Sequence, residues 1–353
     1  MWRAGFVLVG VVCLAACGGG GGPSGSTTPQ PPGPGIPVTI VPSSSPATPT
    51  PSPTPAPTAS PAPTPGIMAI GWGGNTPETV AVYRVGQSTP LRTFSFTCCG
   101  WQLAFDAQGD LIMATSNDVE FYAPNATTPF KTLPQGGFSM ALSAQGDVAV
   151  GGYNMGSTVA VYPGGVASAV YRIPGQPAFH SLAFDASGEL AVPQADGTVK
   201  TFPHGSTTAN RTIPVNGLAP SGVNFTQLAY DRNGNLALAP YPENAIAFYP
   251  PGSTTASYTV PLASGVDSFT FDAANDLIVG NRTSIRVFAA GTSTLIRTVS
   301  NVDGYVVAVD PLGNIPFAGY GGTSGTALAN GTVVPITGTP NAFGVATYPS
   351  GSP

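Results

Sequence analysis

The sequence predicts an all-β fold, a seven-bladed β-propeller of four-stranded antiparallel blades. Three observations predict it. A short phrase (an aliphatic residue, Ala, an aromatic residue, Asp, two small or polar residues, Gly) returns at a period of roughly 40 residues. Each return is followed by three more strand signals separated by Gly, Pro, Asn or Asp. The two ends of the repeating region, residues 66–353, carry complementary parts of one blade.

The phrase begins at Leu103, Leu182, Leu228 and Phe269, with weaker copies at Met140 and Val307. In one full copy the strands read Leu182-Ala183-Phe184, Leu190-Ala191-Val192, Val199 to Phe202 and Arg211-Thr212-Ile213. Third strands recur at Val80–Tyr83, Val119–Tyr122, Val159–Tyr162, Ile246–Tyr249 and Ile285–Phe288, with a degenerate one expected at Thr326–Ala329. Ile67-Met68-Ala69-Ile70 aligns with a second strand, so the first copy lacks its own first strand. Phe343 to Thr347 aligns with a first strand and has nothing after it to pair with. Joining the two closes the ring and removes the free edges of an open array.

The phrase Leu182-Ala183-Phe184-Asp185-x-x-Gly188-Glu189-Leu190-Ala191-Val192, followed by Val199-x-x-Phe202-Pro203, resembles the NHL-repeat β-propellers. Tyr249-Pro250-Pro251-Gly252-Ser253 and Arg211-Thr212-Ile213-Pro214 are similar to bacterial lipoprotein relatives of that group. The resemblance covers residues 66–353 and implies the fold; such propellers host unrelated activities, so it does not fix one. The family's Asn-x-Arg element after the second strand is mostly missing here.

Ahead of the propeller, residues 1–16 read as a signal peptide: Arg3, then an apolar stretch Phe6–Val12 too short to span a bilayer. Leu14-Ala15-Ala16-Cys17 resembles the lipobox of bacterial lipoproteins, which implies cleavage before Cys17 and acylation (diacylglycerol, palmitate) of that residue; the alternative is an ordinary secretory signal. Acyl chains at about 0.8 kcal/mol per buried CH₂ make a firm membrane anchor. Gly18 rather than Asp follows the Cys, which points to the outer membrane of a double-membrane cell envelope. Residues 17–65 form the anchored Cys and a Pro/Thr/Ser/Gly-rich stalk with too few apolar groups to offset ordering entropy. Alternating Pro favours an extended rod of about 3.1 Å per residue.

Charge is scarce and informative. Charged residues are 8% of the chain, with 11 cations against 16 acids and a net charge of −5, which argues against a nucleic-acid partner. Nine acids (Asp106, Asp110, Asp147, Asp185, Glu189, Asp231, Asp272, Asp276, Asp310) fall in the turn after a first strand. There Asp can accept from backbone amides while Gly supplies positive φ; a calcium-loop reading lacks dense alternating ligands. Arg92, Lys131, Arg172, Arg211 and Arg297 fall in fourth strands, where a charge on an exposed edge deters pairing with another molecule.

Six of the seven remaining acids and a set of aromatics map to the opposite face, around the mouth of the axial channel, while Glu120 lies within a third strand. Glu78, Asp118, Asp196 and Glu243 fall between second and third strands, Asp267 and Asp303 just before first strands. Trp101, Gln102, Phe179, His180, Gln227 and Tyr305 are the candidate ligand-binding residues there. Their aromatics serve either inter-blade packing or a ligand: a protein, a glycan or a small molecule. Cys98-Cys99 is a candidate vicinal disulfide in an oxidising compartment, with a reduced buried pair as the alternative. Two functional classes follow. The favoured one is a non-catalytic, membrane-anchored, extracytoplasmic interaction module, monomeric and without cofactor. The other is a metal-dependent hydrolase or lyase of the gluconolactonase or streptogramin-lyase type, using a divalent cation and His180, Asp267 and Asp303 at the channel mouth. Only two His exist, His180 and His204, and no nucleophile-elbow or metal-binding motif is present.

Overall fold

Every copy of the phrase folds as the innermost strand of a blade. The computed structural model describes residues 66–73, 77–96, 99–152, 158–175, 182–215, 227–239 and 244–351, and these form seven sheets of four antiparallel strands. Lettering the blades A to G in chain order, the inner strands of B to G are Gly100–Phe105, Ser139–Leu142, Ala183–Phe184, Gln227–Tyr230, Ser268–Phe271 and Val306–Val307. Blade A is composite: Ala342–Tyr348 lies innermost, followed by Ile67–Trp72, Glu78–Arg84 and Pro90–Phe96. Thr347 faces Met68 and Val345 faces Ile70, so the two ends of the repeating region close the ring as their complementary patterns require. Among the described residues no helix is long and apolar enough to cross a membrane.

The core is distributed. Each blade turns one apolar face to each neighbour, and every one of the seven interfaces holds its own buried cluster. The aliphatic–Ala pair of the phrase explains how radial wedges meet at the axis. Met140 clusters with Ala104 of the preceding blade, Leu182 with Ala141, Leu228 with Ala183 and Phe269 with Ala229. Val345 clusters with Ala308, and Leu103 with Ala346. Blades are closest at their inner strands, so a long side chain fits there only against a small one. Second strands, flanked by strands on both edges and blades on both faces, have no exposed residue: Leu111–Thr115 and Leu277–Asn281 are buried throughout, and Ile67–Trp72 is half-buried only at its two ends. Full burial of each large aliphatic stabilises by about 1.5–3 kcal/mol.

The Asp turns cap themselves. Asp106 Oδ1 accepts from Gln108 N and Asp110 N, both at 2.9 Å, and Asp185, Asp231, Asp272 and Asp310 repeat the pattern. Ser143 substitutes its hydroxyl in blade C. The Gly that follows takes positive φ, 82° at Gly109 and 86° at Gly188.

Two expectations are corrected. The third strand of blade G is Gly321–Ala327, not Thr326–Ala329; Ala327 faces Ile315 as Tyr122 faces Leu111, and this strand of Gly, Thr and Ser lacks the aromatic that marks the register elsewhere. The five cations do lie in outer strands, yet four reach the next blade rather than guarding an open edge. Arg92 Nη1 donates to Ala123 O (3.0 Å) and to Ala126 O. Arg211 Nη1 donates to Pro250 O (2.9 Å) and Ser253 O (3.3 Å), and Arg297 Nη2 to Leu328 O. Lys131 lies over the Phe121 ring, 3.9 Å from its centroid, and against Gly165, where a Cβ would stand 2.8 Å from Nζ. The backbone targets Ala123, Ala126, Pro250, Ser253 and Leu328, and Gly165 beside Lys131, lie in turns between third and outer strands, where Ala123 O, Pro250 O and Leu328 O also close their turns by accepting from Ala126 N, Ser253 N and Gly331 N. Arg172 alone of the five is exposed.

Candidate functional site: the channel and its rim

The seven inner strands enclose an axial cavity of about 690 Å³. Ala104, Ala141, Ala183, Ala229, Thr270, Ala308 and Ala346, one from each blade, line it at equivalent positions. At the face that carries the Asp turns, the segment after Tyr348 narrows the opening. Gly351 N donates to Val309 O (2.8 Å) in blade G, Arg232 Nη2 of blade E donates to Gly351 O (2.9 Å), and Ser350 lines the cavity.

At the other face the predicted ligand-binding amides are committed to holding the ring. Gln102 Oε1 accepts from Met140 N (2.8 Å) in the next blade. Gln227 Oε1 accepts from Phe269 N (3.0 Å) and its Nε2 donates to Asp267 O. Ser139 does the same for Leu182 N at 3.1 Å. A polar side chain one residue ahead of the aliphatic–Ala pair thus supplies an acceptor for an inner-edge amide of the neighbouring blade, which would otherwise lack one. Trp101 packs edge-on against Phe138, ring centroids 4.3 Å apart, and its Nε1 donates to Ser116 Oγ. Phe343 lies over Gly71 and Gly100, where a Cβ would come within 2.5 Å of its ring. Phe179, His180, Glu243 and Cys98 lie outside the described residues. Cys99 is disulfide-bonded, with φ of 51°. His204, on the Asp-turn face, pairs with Asp147, Nε2 to Oδ2 2.8 Å.

Three of the predicted residues do converge. Asp267, Asp303 and Tyr305, on the rim between blades F and G, surround Arg282, which the sequence reading did not single out. The guanidinium stands 5.1 Å from the Tyr305 centroid and 4.9 Å from that of Tyr320, with Asp267 Oδ1 3.8 Å from Nε. The turn presenting Arg282 is built by Asn281, whose Oδ1 accepts from Thr283 N and Ser284 N at 2.9 and 2.8 Å. Asp267 Oδ2 accepts from Arg282 N at 3.1 Å. Burial pushes the Asp267 carboxyl above its ordinary value, and the neighbouring Arg282 offsets only part of that. Burial likewise raises Tyr305. Asp303 Oδ2 accepts from Gly321 N (2.7 Å), while Oδ1 is buried and has no hydrogen-bond partner. Beside this cluster opens a groove of about 400 Å³ lined by Arg282, Thr283, Asn301, Asp303 and Thr323. Arg282 had one sequence signal: it is a cation in the second-to-third-strand turn, where other blades carry acids. Among the described residues no group of three or more His, Cys, Asp or Glu side chains is placed to hold a metal ion.

These features define a closed seven-bladed β-propeller with an axial cavity and a polar rim groove. No protein-family profile and no curated protein matches the chain. Among solved structures it is similar to the WD40 β-propeller domain of Doa1, with a TM-score of 0.54 and 15% identity, over 71% of this chain and 93% of that one. At that identity the likeness shows the fold alone.

Proposed function

We propose that this protein is an extracytoplasmic, membrane-anchored β-propeller lipoprotein that works as a non-catalytic binding module. Residues 1–16 are its signal peptide, Cys17 carries the lipid, residues up to 65 are a stalk, and the propeller is of NHL type. The observation that supports binding is the rim groove between blades F and G. Arg282 keeps guanidinium donors open to solvent, its side chain being 54% exposed, and beside it the half-buried Asp303 carries one oxygen, Oδ2, on the Gly321 amide with acceptor capacity left. Elsewhere on the same face the polar side chains that hold the blades together are already partnered.

The metal-dependent alternative gains nothing from the groove, because Asp267 is engaged by Arg282 and Asp303 by the Gly321 amide. The anchor is supported by the Leu14-Ala15-Ala16-Cys17 run and Gly18, which favours the outer membrane. Replacing Cys17 with Ser tests it: wild type should fractionate with membranes and incorporate labelled palmitate. A Cys17→Ser protein that still does both refutes the anchor. Cross-linking of the anchored chain in cells, followed by capture, tests the binding role. A chain that captures nothing and binds no small ligand refutes it.

A further inference from the structure

Resting on the binding-module reading, we propose that the groove between blades F and G is a carbohydrate site for a neutral sugar ring. Its wall presents hydrogen-bonding groups of both kinds. Asp303, half-buried, turns Oδ1 inward out of a ligand's reach, while Oδ2 accepts from Gly321 N and keeps further acceptor capacity. Arg282 offers donors whose nearest carboxylate oxygen, on Asp267, is 3.8 Å from Nε. A hydroxyl is donor and acceptor at once. Two adjacent hydroxyls of a sugar therefore bond Asp303 Oδ2 and Arg282 together, and Thr283, Asn301 and Thr323 can take part from the surrounding wall.

Charge selects against the other ligand classes. An anion drawn to Arg282 meets Asp267 and Asp303, and a cation drawn to those carboxylates meets Arg282, which already fills the space between Tyr305 and Tyr320. A neutral polyhydroxylated ligand meets neither penalty. At the groove's edge Tyr320 is 47% exposed and joined in sequence to Gly321 of the groove wall. Its ring offers a face for the C–H surface of a sugar, and its hydroxyl a polar tip. The groove's volume, about 400 Å³, falls in the ordinary range for small-ligand sites.

The test is binding of the full-length chain to immobilised maltose, cellobiose, lactose, chitobiose and mannobiose. At least one disaccharide should bind at millimolar concentration or below. Asp303→Asn and Tyr320→Ala should each weaken that binding about tenfold, about 1.4 kcal/mol. Tyr320→Phe should keep it, because the stacking face survives. Tyr320→Phe should melt with the wild type, since its ring contacts survive; Asp303→Asn and Tyr320→Ala are compared at a temperature where each variant's melt shows it fully folded. The proposal is overturned if no disaccharide binds to a cooperatively folded chain, or if the Asp303 and Tyr320 variants bind as wild type does. Preferential retention of a cationic probe such as arginine amide overturns it in favour of the opposite charge logic. A chain that binds no sugar yet captures a partner in cells loses only the sugar assignment; one that does neither loses the binding-module reading as well.

Discussion

Val345, near the end of the chain, stands directly opposite Ile70, in the first described strand, and both are buried, at 6% and 0% exposure. This pairing is the seam of the ring. On one side Val345 packs with Met68 and Ile70 of its own blade and with Val306 and Ala318 of blade G. A carboxylate at Val345 would lie in that apolar cluster without a partner. Val345→Asp should therefore lower unfolding free energy by about 3 kcal/mol or more. Chain shortened to residue 341 should lose its cooperative melt. Chemical denaturation reads both, and a seam variant as stable as wild type would mean that closure contributes little.

The pairing of a long residue with an Ala across six of the seven inner interfaces makes a sharper prediction; between blades F and G Thr270 takes the Ala position. Ala229→Leu should overpack against Phe269 and cost about 1–3 kcal/mol. Phe269→Ala should cost about 3–5 kcal/mol by leaving a cavity. The two changes exchange volume across one contact. The double variant should therefore lose less than the sum of the single losses, by more than about 1 kcal/mol. Strict additivity in denaturant melts would show that the two side chains do not share one space.

That pairing also shows what was legible in the sequence. The repeat encodes contacts that every blade makes in the same way, so blade number, strand order, the closing strand and the Asp turns could all be read from periodicity. Register failed only in blade G, where Gly321–Ala327 offers neither alternation nor a terminal aromatic. Contacts between blades were less legible. Gln102 and Gln227 look like ligand chemistry because they are polar and near a mouth, but an inner-strand amide one blade away needs their oxygens. Asp267, Asp303 and Tyr305 could be placed on the rim from their position before an inner strand. Arg282 and Tyr320 come from turns whose approach depends on how blades F and G dock, which no local pattern records.

The outer-strand cations, one class by sequence, should separate by experiment. Arg211 is 7% exposed and supplies donors to Pro250 O and Ser253 O, with Glu189 Oε1 3.6 Å from Nη2. Two of its nitrogens, Nε and Nη2, are buried without a hydrogen bond, so removing the side chain also relieves a desolvation cost. Arg211→Met should destabilise by about 2 kcal/mol net. Exposed Arg172→Met should change stability by less than about 0.5 kcal/mol. Equal effects in paired melts would return both residues to a common role at the surface.

The pH dependence of stability follows from four acids that burial raises above their ordinary values: Glu78, Asp110, Glu120 and Asp267. Glu78 is the clearest case. Desolvation is the largest influence on it, and the amides of Gly100, 2.6 Å from Oε2, and Cys99 counter that only in part. A carboxyl whose folded pKa lies above its unfolded one holds its proton longer in the folded protein. Its contribution to stability is therefore full below the unfolded value of 4.5 and is lost as pH rises through the raised folded value. Glu78→Gln removes this titration. The stability of wild type relative to Glu78→Gln should then fall as pH rises from 4.5 toward neutrality and level off beyond the raised pKa. Melting temperatures of the two proteins across that range measure the difference at each pH. A difference that stays flat, or that grows with pH, would mean that the backbone amides at Gly100 and Cys99 outweigh burial at Glu78.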